Sequence, residues 1–141
     1  MKKRLFLILI AGIVLFNFSI LVPDSDAEVP DAIRVGATVS VSGKFSTEIG
    51  PFQRLFQAWV DEVNRQGGIY LKKYGRKLPL KLITYDDRSD AATARRFYER
   101  LVTVDRVDLL FGPYSSPLTF AASTASEKHP VPFIAICANS P

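Results

Sequence analysis

At 141 residues the chain holds about one domain's worth of polypeptide, too little for two lobes of ordinary size. A composition of 48% hydrophobic and 23% charged residues excludes a disordered chain and a polytopic membrane protein. The formal net charge of +4 comes partly from a basic head, and the remaining Lys and Arg are scattered without an aromatic-interleaved stripe, so no nucleic-acid partner is expected.

Met1, Lys2, Lys3 and Arg4 precede an apolar run from Leu5 to Val22, the layout of a secretory signal. Ser25, Asp26 and Ala27 place small residues at the third and first positions before a cut between Ala27 and Glu28, so residues 1–27 read as a signal peptide. An uncleaved anchor is the alternative, because the apolar run approaches the length that spans a bilayer. Either way the remainder is expected outside the cytoplasm, periplasmic or otherwise exported. The single cysteine, Cys137, is too far downstream for a lipid anchor and has no partner for a disulfide, so packing must hold the domain together.

From residue 28 the pattern alternates strand and helix. Ile33, Val35, Ala37 and Val39 repeat with period two and predict a first strand. Phe52, Leu55, Phe56, Trp59, Val60 and Val63 recur at helical spacing, predicting an amphipathic helix that Gly67 and Gly68 stop. Leu78 to Ile83 predict a second strand, and its Pro79 and Lys81 fit an edge better than a centre. A second helix follows Asp90, with Ala94, Phe97, Leu101 and Val102 inward. Val107 to Phe111 predict a short buried strand, Leu118, Ala121, Ala122 and Ala125 a helix with a small-residue face, and Val131 to Ile136 a fourth strand. Right-handed crossovers make this an α/β fold, a parallel sheet with helices on both faces in the order 2-1-3-4. The switch point then lies between strands one and three, and ligands of such sheets bind beside it at the strands' carboxyl ends. The loops that reach it are residues 40–50, 112–116 and 137–141.

Enzyme signatures fail in those loops. Ser42-Gly43-Lys44-Phe45 lacks the first glycine and the hydroxyl of a phosphate loop, no GxGxxG follows the first strand, and Ser115-Ser116 is not followed by the glycine of a nucleophile elbow. One His and one Cys cannot build a metal cluster, and no cofactor is expected. His129 beside Lys128 reads as a cation at a helix's negative pole, and Cys137 as a small apolar residue. Asp86 and Asp87 could bind a divalent ion, but capping and loop pinning at a strand end suit them better. In Gly112-Pro113-Tyr114-Ser115-Ser116-Pro117, Ser116 is a preferred N-cap and Pro117 suits the first helical position. The helix N-terminus this opens at the sheet's carboxyl edge suits a carboxylate, with the seryl hydroxyls as added donors; plain capping is the alternative.

Ile33 to Thr38 with Ser42-Gly43, Asp61-Glu62-Val63-Asn64 leading into Gly67-Gly68-Ile69, Tyr85-Asp86-Asp87, Gly112-Pro113-Tyr114-Ser115-Ser116 and Val131-Pro132 together resemble, in order and spacing, the type I periplasmic binding proteins of the leucine/isoleucine/valine-binding kind. The resemblance covers nearly all of residues 32–141. It implies two lobes that close over an amino acid or related small solute and hand it unchanged to an ABC transporter permease, with membrane contact only through that permease. It implies Ser116, through its hydroxyl and N–H, as donor to the ligand carboxylate and the Cys137 backbone carbonyl as acceptor for the ligand ammonium; Ser115 is a candidate from its place at the helix N-terminus alone. Asn139 falls where a second hydroxyl-bearing contact is usual, and an amide can serve both groups. Glu48 stands where family members often have an aromatic, and an acidic group there would favour a cationic or polar solute. Because the family continues past the position of Pro141, residues 28–141 are expected to be the N-terminal part of the first lobe, with the second lobe absent. The competing reading is the ligand-binding ectodomain of a sensor or receptor with the same fold, and behind it an exported flavodoxin-like enzyme.

Overall fold

The computed structural model of the chain describes residues 29–138. The predicted signal segment, residues 1–27, and Asn139 lie outside the described residues.

Four parallel strands form one sheet: β1 (Ile33–Val39), β4 (Leu80–Asp86), β5 (Leu109–Phe111) and β6 (Phe133–Ile134), in the spatial order β4-β1-β5-β6. Taking only the sheet strands, this is the expected 2-1-3-4 arrangement. β1 is flanked on both sides, Val39 lying opposite Asp86 and Ala37 opposite Phe111. Between β1 and β4 run a one-turn helix α1 (Ser46–Ile49), the long helix α2 (Phe52–Arg65) and an antiparallel hairpin of β2 (Ile69–Leu71) and β3 (Arg76–Leu78). Helix α3 (Ala91–Thr103) joins β4 to β5, and α4 (Ser116–Lys128) joins β5 to β6.

The expected second strand is divided in the structure. β3 ends at Leu78 and β4 begins at Leu80, with Pro79 between them. Proline has no N–H to give a ladder, so the break falls where the chemistry dictates. The fourth strand is likewise shorter than expected, since Pro130 and Pro132 cannot donate; the Pro132 carbonyl still accepts from Leu110 N–H at 2.9 Å.

Helix α2 stops as its glycines require. Gly68 N–H donates to the Val63 carbonyl and Gly67 N–H to the Asn64 carbonyl, both at 2.9 Å, the paired bonds that close a helix through a left-handed residue. Gly68 has φ +87°, and a Cβ there would fall 2.2 Å from the Leu78 carbonyl oxygen. Asn64 then acts as a short piece of strand. Its amide donates to the Leu80 carbonyl at 2.9 Å and accepts from Leu80 N–H at 2.7 Å, fixing the helix end to the start of β4.

Packing occurs on both sheet faces. Tyr98, Leu101, Val107, Leu110, Ala122 and Ala125 form one buried cluster between the sheet and α3 with α4. Val35, Val60 and Leu80 form the other, beneath α2. Each fully buried Leu or Val contributes roughly 1.5–3 kcal/mol of transfer free energy. The apolar face of α2 is only partly covered. Val60 is buried, but Leu55 and Trp59 remain 59% and 38% exposed. Phe56 and Trp59 instead lie against the Phe111 ring, with centroids 5.7 and 5.5 Å away.

Candidate functional site

The carboxyl ends of the strands carry two tied loops and one open cavity. The tie comes from the acidic pair after β4. Asp87 is fully buried and accepts from the Thr38 hydroxyl at 2.7 Å, the Ser40 hydroxyl at 2.6 Å and Ser89 N–H at 2.9 Å. Asp86 accepts from the Ser42 hydroxyl at 2.6 Å, Ser42 N–H at 3.1 Å and Arg88 N–H at 2.9 Å. Burial acts to raise the Asp86 pKa, but these donors outweigh it and hold the carboxyl below its ordinary value. Both carboxylates thus use their oxygens on neighbouring loop groups, which favours the pinning role over an ion site. Thr38 and Ser40 lie at the end of β1, so the pair ties the turn after β4 to the strand whose following loop borders the cavity.

Tyr98 ties the other side. Reaching from α3, its hydroxyl accepts from Thr38 N–H at 3.3 Å and donates to the Phe111 carbonyl. The last rung between β1 and β5 is thereby held by a core side chain. Burial pushes the phenol well above its usual range.

The cavity, of about 570 Å³, opens beside this rung and is lined by Phe45, Tyr114, Ser115, Ser116, Ile136, Cys137 and Ala138. The N-terminus of α4 forms its polar end. Ser115, not Ser116, is the N-cap: the Ser115 carbonyl accepts the first intrahelical bond, from Thr119 N–H at 3.0 Å, while Ser116 is already helical. The expected boundary therefore shifts by one residue, and Pro117 sits in the first turn, where no intrahelical N–H is needed. Ser115 has φ +80° and ψ 147°, a conformation that serine rarely adopts. Its N–H donates to the Cys137 carbonyl at 3.2 Å, and its buried hydroxyl has no hydrogen-bond partner among the described residues. Thr119 closes the loop from inside, its hydroxyl donating to the Pro113 carbonyl at 3.1 Å.

Three predicted site residues meet here: Ser115, Ser116 and Cys137. Glu48 does not join them; it is exposed on α1 and is not among the lining residues. His129 sits at the far end of α4, its Nε2 3.7 Å from Glu99 Oε2. Phe45, Tyr114, Ile136 and Ala138 were not singled out from sequence. A loop residue has no periodicity to betray it, although Phe45 and Tyr114 both stand in the loops that the topology marks. None of the lining side chains is charged, so the polarity at the mouth comes from the α4 terminus and the seryl groups.

With this geometry the family can be read directly. The family model described as "Periplasmic binding protein" matches residues 32–141. The chain belongs to the periplasmic binding protein family. Its members are substrate-binding proteins rather than enzymes, and the family implies an extracytoplasmic location; among the described residues no helix is long and apolar enough to cross a membrane. The fold is that of LivJ, the branched-chain amino acid transporter substrate binding protein of Streptococcus pneumoniae solved with isoleucine, at 30% identity and a TM-score of 0.68 over 77% of this chain and 30% of that one. A solute binding protein of an ABC transporter from Rhodopseudomonas palustris, solved with 3,4-dihydroxybenzoic acid, shares the fold at 22% identity and a TM-score of 0.62, covering 79% of this chain and 28% of that one. The leucine binding protein LivK of Thermotoga maritima does so at 16% identity and a TM-score of 0.61, covering 77% and 29%. The chain spans about 30% of the length of these binding proteins.

Proposed function

We propose that residues 28–141 form the N-terminal part of the first lobe of an extracytoplasmic binding protein that captures an amino acid or a related small carboxylate for an ABC transporter permease. The observation that carries this is the N-terminus of α4 opening into the 570 Å³ cavity, with a buried Ser115 hydroxyl there that no group among the described residues satisfies. A helix N-terminus and an unused hydroxyl both favour an anionic oxygen.

On this reading Ser116 and Ser115 hold the carboxylate. The Cys137 carbonyl, which already accepts from Ser115 N–H, has a second lone pair for an ammonium group. Asn139, outside the described residues, is kept as a ligand contact on the family resemblance alone, and Glu48 would act only on a cationic solute, from the exposed α1. A half-site left open to water weakens every such bond, so a second lobe that closes over the solute is part of the proposal. Calorimetry of the full-length protein against branched-chain amino acids, cationic amino acids and aromatic acids tests it. Micromolar binding of one class is expected; no binding of any small carboxylate would overturn it.

A further inference from the structure

The cavity's apolar side has an unusual support. Phe45 lines it with its ring edge-on to Tyr114, the centroids 5.2 Å apart at 75°. Its outer side is covered by Lys44, whose Nζ lies 4.7 Å from the ring centroid. Phe45 belongs to the loop after β1, yet that loop is held by the turn after β4. Phe45 N–H donates to the Ser89 hydroxyl at 3.0 Å, and the same hydroxyl donates to the Ser42 carbonyl at 3.1 Å. The backbones touch between these bonds, since a Cβ on Gly43 would fall 2.2 Å from the Arg88 carbonyl oxygen. Arg88 and Ser89 adopt positive φ, 55° and 58°, to bring the turn into place. Ser89 lines no part of the cavity.

We propose that Phe45 is the specificity-determining wall of this half-site and that Ser89 is the positioning residue that sets it. The inference rests on the carboxylate-binding reading above and adds the part that meets the rest of the solute. With the carboxylate at α4, the body of the solute passes along the Phe45–Tyr114 pair. A flat or branched apolar group gains area there, and a short ligand with no body gains nothing.

The test is NMR titration of the isotopically labelled full-length protein with three probes: acetate, isoleucine and benzoate. The Ser116 amide reports the carboxylate, and the Phe45 and Tyr114 ring signals report the wall. Phe45→Ala should weaken isoleucine and benzoate about tenfold while leaving acetate unchanged, a loss of one ring contact's worth of binding. Phe45→Leu, the milder variant, should keep isoleucine and lose benzoate. Ser89→Ala should shift the Tyr114 ring signals and reduce the isoleucine-to-acetate ratio. Ser89→Asn should restore both, because asparagine tolerates a positive φ and keeps an acceptor and a donor. Equal weakening of all three probes, or no change in their ratio, would overturn the assignment while leaving carboxylate binding intact. A Ser116 amide that answers to none of the probes would overturn the carboxylate reading, and this inference with it.

Discussion

The Thr38 hydroxyl donates to the buried Asp87 carboxylate at 2.7 Å, joining the carboxyl end of β1 to the turn that leaves β4. Thr38 is itself only 2% exposed, so this charged acceptor and its donor are both withdrawn from water. Thr38→Val keeps the shape and removes the donor. The folded state should lose about 1.5–3 kcal/mol, the range for a hydrogen bond to a charged group, measured as a lowered urea midpoint with an unchanged slope. A midpoint equal to the parent's would show that Asp87 does not depend on this donor.

Asp86 supplies a pH test. Because its folded pKa is held below the ordinary value, its stabilising effect is present above about pH 4, near the unfolded carboxyl pKa, and is lost as pH falls through the lower folded value. Ser42→Ala removes the 2.6 Å hydroxyl donor and with it much of that depression. The stability gap between parent and variant should be open at pH 7 and close progressively below pH 4. A gap that stays constant down to pH 3 would mean the hydroxyl acts through packing alone.

Binding by the full-length protein should depend on the head of α4 and not on its tail. A charge-assisted bond contributes roughly 1.5–3 kcal/mol, so Ser116→Ala should weaken the solute about 10- to 100-fold. His129→Ala, at the opposite end of the helix, should leave affinity unchanged, and Glu48→Gln should spare an aliphatic solute. Titration calorimetry on the three variants decides; a reversal of the first two would move the site away from the sheet's carboxyl edge.

Ser115→Gly should trade function for stability. The substitution relieves a φ of +80° and deletes a buried hydroxyl that has no partner among the described residues. Strain of this kind costs about 1–3 kcal/mol, against roughly 0.5–1 kcal/mol of added chain entropy for glycine. Thermal denaturation should show a higher midpoint, and solute affinity should fall. A lower midpoint would mean that the hydroxyl is satisfied in solution and that the backbone is relaxed.

The order of the sheet was legible because proline and lysine in Leu78 to Ile83 mark an edge, and the helices because their apolar spacing is regular. The acidic pair at the end of β4 was legible as a loop pin. The β2–β3 hairpin was not, since its strands are three residues long and only Leu78, at the end of β3, is fully buried, which is too little to produce a period. Leu55 and Trp59 show a related limit: spacing tells which side of a helix is apolar but not what covers it. Ser115, Ser116 and Cys137 were named from loop positions and family resemblance, and all three line the cavity. Phe45 was missed because its place depends on Ser89, more than forty residues away in sequence, and such a tie leaves no local pattern.

Tyr98 gives the core a different part to play. Its ring could be replaced by phenylalanine with little change in volume, so packing alone would tolerate either residue. The hydroxyl, however, holds Thr38 and Phe111 at the rung beside the cavity mouth. Across related proteins, position 98 should therefore separate two kinds of constraint. Lineages that keep the crevice should retain the oxygen as well as the ring, and lineages that drift to phenylalanine should show compensating changes at the ends of β1 and β5 rather than among the neighbours that fill the interior.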